Sequence, residues 1–294
     1  MLSVQSVIPR TAAPEEALRA AVEALGRGER VVVATVISRQ GSAPCTPGQK
    51  LTLLQDGSAL GTVGGGAVER AVVASMVEAL DDPKGTPRVS TFRLGPSLGM
   101  CCGGSADILV EPLAPALTVL IVGAGHVGVY LAPLITTLGF RVFLCDSRES
   151  FADASRLPPQ TEVRVLCADH DDPEVRKALP QDLTSSVMFV MTHDHQLDQA
   201  AIEWALREGF GLVGGVGSRA KATRTRDRLE SKGFSAEDMA RIRMPLGVDI
   251  GARSPAEIGV AIAAELVAWR AALFAPKRSQ KQRVAVVDQP NEET

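Results

Sequence analysis

The run Gly123-Ala124-Gly125-His126-Val127-Gly128 constrains this chain more than any other. It fits G-x-G-x-x-G. It follows an apolar stretch, Val119–Val122, that reads as a strand, and opens one, His126–Leu138, that reads as a helix. In that context the glycines let a strand turn tightly into a helix and let backbone approach a pyrophosphate. Asp146 ends the next predicted strand, Arg141–Cys145, 18 residues after Gly128. An acid so placed takes the ribose hydroxyls in dinucleotide folds. Further strands are predicted at Val163–Cys167, Val187–Met191 and Gly211–Val216, with helices at Gln196–Glu208 and Lys221–Lys232. This alternation predicts an α/β domain, a doubly wound parallel sheet of Rossmann type. Gly123, Gly125, His126, Gly128 and Asp146 are its candidate cofactor-binding residues, and NAD(P) is a candidate cofactor. The helix dipole disfavours imidazolium at His126, which is expected to act as a neutral donor.

The residues before this domain have a different rhythm. A helix is expected from Pro14 to Leu25, stopping at Gly26, and a buried strand from Arg30 to Ser38. Arg39 to Lys50 is a loop of turn formers. Leu51–Leu54 and Ala59–Val63 read as short strands joined at Asp56-Gly57. Gly64-Gly65-Gly66 precedes a helix, Ala67–Leu80, and strands follow at Val89–Leu94 and Ala106–Glu111. This is a mixed α+β pattern. Pro112-Leu113-Ala114-Pro115 reads as a stiff linker, which divides the chain into domains 1–113 and 114–274 and a polar, mobile tail, 275–294. Ser254-Pro255-Ala256-Glu257 is a capping box with proline at the first helical position. The helix it opens carries Ile258, Ile262, Leu266 and Trp269 on one stripe.

Composition narrows the class. Of 294 residues, 45% are hydrophobic and 22% charged, with a net charge of −3, so a folded protein without a basic surface for nucleic acid is expected. Five cysteines is an odd number, which fits a reducing, cytoplasmic setting better than a disulfide framework. The most apolar stretch, Thr118 to Ile135, is broken by glycines, His126 and Pro133, so no membrane span is expected.

A second motif carries chemistry of another kind: Leu94-Gly95-Pro96-Ser97-Leu98-Gly99-Met100-Cys101-Cys102-Gly103-Gly104. Neighbouring Cα atoms sit about 3.8 Å apart, and most disulfides need roughly 4.4–6.8 Å. A Cys101–Cys102 bridge would be strained and easily reduced. As thiols the two make a compact soft donor pair, suited to sulfur chemistry or a soft metal. Cys101 and Cys102 are therefore the candidate metal contacts, with Gly103 and Gly104 leaving backbone free for a ligand. A glycine-rich turn with one buried cysteine is the plainer alternative. Gly64-Gly65-Gly66 before a helix is a candidate anion cradle, or simply a flexible turn. Glu69, in the first turn of that helix, complements its dipole or joins the cradle. His193-Asp194-His195 follows a strand and offers metal ligands without a visible third partner. Arg219 and Lys221 either pair with phosphate or face solvent, and Arg224, Arg226 and Arg228 read as a solvated face.

Taken in order, Gly41-Ser42-Ala43-Pro44, Gly48-Gln49-Lys50, Gly61 to Glu69, Leu94 to Gly104, Val122 to Gly128 and Gly247-Val248-Asp249-Ile250-Gly251-Ala252 resemble the XdhC/CoxI family, from about residue 15 to 272. The resemblance implies an accessory protein of xanthine dehydrogenase and related molybdenum hydroxylases. Such proteins bind the molybdenum cofactor transiently in its molybdopterin form, protect it, support its sulfuration with a cysteine desulfurase, and insert it into the apo-hydroxylase. They are chaperones and not catalysts of turnover, so no catalytic residue is assigned. By this resemblance Cys101 and Cys102 contact molybdenum or handle sulfur. We further expect Lys50 and the Gly64–Gly66 turn to hold the anionic end of the cofactor, and a homodimer as the assembly. Met100 stands where many relatives carry Gln, which removes a hydrogen-bonding amide, and Cys45 is either incidental or a third thiol near the site. Two other classes stay open at this stage: an NAD(P)-dependent oxidoreductase using His193 or His195, and a thiol-redox sensor using Cys101–Cys102.

Overall fold

The computed structural model describes residues 2–82, 85–93 and 104–274. Cys101, Cys102, Gly103 and the tail 275–294 lie outside the described residues.

The first half builds an antiparallel sheet between two helices. Helix α1 (Pro14–Arg27) precedes strands β1 (Val31–Gln40), β2 (Lys50–Leu54) and β3 (Ala59–Gly61). Helix α2 (Gly66–Asp81) leads to β4 (Arg88–Arg93) and β5 (Ser105–Leu113), and the sheet order is β3-β2-β1-β5-β4. The period of two along β1 decides the layers. Val32 and Ala34 face α2 through Val72, Val73 and Met76. Val31 and Val33 face α1 through Ala21 and Ala24. Helix α1 ends at Gly28 in the left-handed conformation, slightly beyond the predicted stop at Gly26. Pro112 and Leu113, expected in a linker, instead belong to β5, paired with Val32 and Val31. Pairing with β4 ends at Val110, so Pro112 lies where β5 has become an edge, and an edge tolerates a missing N–H.

The second half is a parallel sheet. It comprises β6 (Thr118–Val122), α3 (His126–Thr137), β7 (Arg141–Cys145), β8 (Val163–Leu166), α4 (Pro173–Ala178), β9 (Val187–Val190), α5 (His195–Glu208), β10 (Leu212–Gly215), α6 (Arg219–Ser231), α7 (Ala236–Ala240), β11 (Ile242–Arg243) and α8 (Pro255–Phe274). The order β11-β10-β9-β6-β7-β8, parallel throughout, is that of a dinucleotide fold. Leu120, Met188 and Val213 face α5 and α6. Ile121, Phe189 and Leu212 face α3 and α8. Central strands covered on both sides are apolar at nearly every position, as β6 and β9 are. The capping box forms as predicted, Ser254 and Glu257 bonding reciprocally, and Ile262 and Leu266 of the stripe are buried. Short α4, α7 and β11 are not predicted from the sequence. No helix among the described residues is long and apolar enough to cross a membrane.

The strand order reverses between β6 and β9. This switch point fixes where a ligand can enter, above the carboxyl ends of both strands.

Candidate functional site

The glycines of the G-x-G-x-x-G loop have unequal duties. Gly123 has φ +112°, and a Cβ there would sit 2.4 Å from the Met191 carbonyl oxygen. A Cβ at Gly128 would sit 2.3 Å from the Gly123 carbonyl oxygen. Both glycines serve packing, of the loop on the end of β9 and of α3 on the loop. Gly125, at φ −72°, has open space where a side chain would go. It lines a groove instead of packing against its own chain. Gly123→Ala should therefore cost about 1–3 kcal/mol from forced strain, and Gly125→Ala should stay within about 0.5 kcal/mol of wild type. Thermal unfolding of the two variants checks this.

Asp146 is not free to take a ribose. Its carboxylate is buried and accepts the Ala124 amide at 2.9 Å. It also accepts the Arg148 amide at 3.1 Å and the Arg148 guanidinium side-on, Nε at 2.9 Å and Nη2 at 2.8 Å. Burial alone pushes the carboxyl up, but the hydrogen bonds from Arg148 and Ala124 outweigh it and hold it below its ordinary value. The Arg156 guanidinium grips the carbonyl of the same residue, donating to Ala124 at 2.7 Å. Arg148 and Arg156 both lie over the Phe151 ring, at 3.7 and 4.8 Å from its centroid. Sequence reasoning missed Arg148, Phe151 and Arg156. An arginine two places after a strand-ending acid was the available signal.

Gly125, His126, Arg148, Phe151, Thr192 and His193 line a groove of about 490 Å³ at the switch point. His126 is the exposed first residue of α3, as predicted. His193 and His195 are also exposed, and Asp194 between them caps α5, accepting the Gln196 amide. Among the described residues no three His, Cys, Asp or Glu side chains are placed to hold a metal, so the metal reading of 193–195 finds no third ligand. Lys221, expected to bind phosphate or face solvent, instead pairs with buried Asp198 and donates to the Val216 carbonyl at 3.0 Å. Arg226 is not on a solvated face either; it donates to the carbonyls of Met239 and Ile242, fastening α6 to α7 and β11.

In the first half, Gly64, Gly65 and Gly66 all have positive φ, +116°, +75° and +62°, so the turn needs glycine throughout. Its amides are already partnered in part. Glu69 accepts from the Thr62 hydroxyl at 2.6 Å, the Val63 amide at 3.1 Å and the Gly65 amide at 3.3 Å. The carboxylate of Glu69 thus occupies part of the expected anion cradle, at Val63 and Gly65, while the Gly64 amide donates to the Thr62 hydroxyl at 3.2 Å. Glu69→Ala, which removes these charge-assisted bonds, should cost about 1.5–3 kcal/mol, read from urea unfolding. Lys50 donates to the Thr35 hydroxyl at 3.0 Å, on β1 and away from any bond to the glycine turn. Cys45 is fully buried in the core, packed against Gly64, which excludes it as an accessible third thiol. Gly104 closes against the 40–42 loop, where a Cβ would sit 2.6 Å from the carbonyl oxygens of Gln40 and Ser42.

The sequence profile of the XdhC Rossmann domain matches residues 119–266, and that of the XdhC and CoxI family matches residues 24–93. The chain belongs to the XdhC/CoxI family. Among curated proteins this XdhC/CoxI chain is 28% identical over 239 residues to the uncharacterized protein YqeB of Escherichia coli K12, covering 80% of this chain and 42% of YqeB. It is 27% identical over 173 residues to a probable xanthine dehydrogenase subunit of Bacillus subtilis 168, covering 56% of this chain and 47% of that one. It is 24% identical over 282 residues to the molybdenum cofactor insertion chaperone PaoD of Escherichia coli K12, covering 86% of this chain and 87% of PaoD. The chain thus spans less than half the length of the first two relatives and most of the third.

Proposed function

We propose that this chain is an accessory chaperone that takes the molybdenum cofactor as cargo, protects it, and inserts it into an apo molybdenum hydroxylase of the xanthine dehydrogenase kind. The observation that carries this reading is the match to a molybdenum cofactor insertion chaperone along 86% of this chain and 87% of the relative. A shared Rossmann domain alone would cover residues 119–266. The alignment reaches well beyond that, so the first half of the chain belongs to the likeness. Cys101 and Cys102 supply the soft donors for the molybdenum end, and Gly103 the close-approaching backbone beside them; Gly104, expected to share that part, is instead packed against the carbonyls of Gln40 and Ser42. Sulfuration by a cysteine desulfurase while the cofactor is held, a homodimeric working state and a cytoplasmic location complete the proposal.

The test is retention. The protein is incubated anaerobically with cofactor freshly released from a molybdenum hydroxylase and desalted. Molybdenum and pterin fluorescence are then measured in the protein fraction. Near-stoichiometric retention, and activation of apo-hydroxylase by the loaded fraction, are expected. A protein fraction free of both would defeat the reading.

A further inference from the structure

We propose that the groove beside Gly125 is a phosphomonoester subsite, in which Arg148 holds the phosphate and Asp146 positions Arg148. The argument starts from the donors of the guanidinium. Arginine has five N–H groups in a rigid fork. Asp146 takes two of them, from Nε and Nη2. The other three have no hydrogen-bond partner among the described residues, and Arg148 lines the groove. The Phe151 ring lies against the guanidinium at 3.7 Å and removes its remaining freedom, so the free edge of the fork is held in place before any ligand arrives. A planar fork with a free edge matches two oxygens of a phosphate.

The same contacts argue against an unphosphorylated ribose. Its two hydroxyls need a carboxylate with lone pairs to spare, and Asp146 is buried and already accepts four hydrogen bonds, one from Ala124 and three from Arg148. The acid that the sequence marks as a ribose ligand has become the support of a cation. Of the two arginines on the Phe151 ring, Arg156 is already spent on the carbonyls of Ala124 and Phe151, and Arg148 is the one that lines the groove.

A phosphomonoester reaches such a groove from two sources, the 2′-phosphate of an adenine dinucleotide or the terminal phosphate of molybdopterin. The inference stands on the Rossmann domain alone and does not require the chaperone reading. The full chain is titrated calorimetrically with NADP+ and with NAD+. Separately, it is loaded with released cofactor as above. Both measurements are repeated on Arg148→Leu and on Arg148→Lys, which keeps the charge and gives up the fork.

A preference for NADP+ over NAD+ of at least tenfold, lost in R148L and reduced in R148K, supports the subsite and assigns the 2′-phosphate. Cofactor retention that falls at least tenfold in R148L, without an NADP+ preference, supports it and assigns the pterin phosphate. Absence of both effects overturns it, whether the wild type binds nothing or binds without regard to Arg148. Retention by wild type and R148L alike, with no NADP+ preference, would remove this inference and leave the chaperone reading standing. An Arg148-dependent NADP+ preference without cofactor retention would do the reverse.

Discussion

Replacing Cys101 and Cys102 together by serine should lower molybdenum retention at least about tenfold, about 1.4 kcal/mol of binding. The variant should fold as the wild type does, read from its thermal unfolding. The reason is the hardness of the donors. A thiolate is a soft, polarisable ligand and a serine hydroxyl a hard one, nearly equal in size, so the exchange removes the affinity for a soft centre and little else. The remaining thiols offer no substitute. Cys45 is buried in the first core. Cys145 is buried beside Asp146, donates to the Ala168 carbonyl at 3.0 Å, and is pushed up to about 12, first by burial and then by the negative charge of Asp146. Cys167 is exposed and lies in the Rossmann half, at the end of β8. Cys167→Ser is the control that should retain cofactor fully. Full retention by the double serine variant would move the molybdenum contact away from this pair.

What the sequence made legible follows from the range of the forces involved. The Rossmann half was readable because period and punctuation are local: apolar runs at Val119–Val122 and Val187–Met191, glycines at the strand-to-helix turn, a capping box at Ser254. The helix start at His126 and strand β7 fall where the pattern places them. Short elements such as α4 and β11 exist because the sheet and its helices surround them, and a few residues carry too little pattern to announce that. At the candidate site the residue types were legible but their partners were not. Asp146, Glu69 and Lys221 each carry a charge that looks available to a ligand. Each is committed to a neighbour: Asp146 and Glu69 to one a few residues away, Lys221 to a carboxylate 23 residues away. Which charges pair within a protein is settled by side-chain geometry across loops. Spacing in a single sequence leaves it open, and the same spacing would have served a phosphate equally well.

The pairing of Lys221 with Asp198 should prove the most stabilising of these contacts. Asp198 is 4% exposed and Lys221 15%. Asp198 sits in the first turn of α5 and accepts the Thr192 amide at 3.0 Å and the Thr192 hydroxyl at 2.7 Å. Lys221 sits in the first turn of α6, where the helix dipole opposes a cation, so its placement there depends on the carboxylate facing it. Together they bind the loop after β9, which borders the switch point, to the loop after β10 beside it. Lys221→Met would leave a buried carboxylate without its cation. The expected cost is about 3–5 kcal/mol, far above the figure of up to about 1 kcal/mol for an exposed ion pair. Asp198→Asn should be comparable, because it strands the ammonium beside the Val216 carbonyl alone. The double variant Asp198→Asn/Lys221→Met should lose less than the two singles together, by about 0.5–3 kcal/mol of coupling, since an amide still serves Thr192 and no lone charge remains. Urea unfolding of the four proteins, read at the Rossmann transition, measures each leg of the cycle. A Lys221→Met cost below about 1 kcal/mol with no coupling would mean that water screens the pair and that the two loops are held by backbone contacts instead.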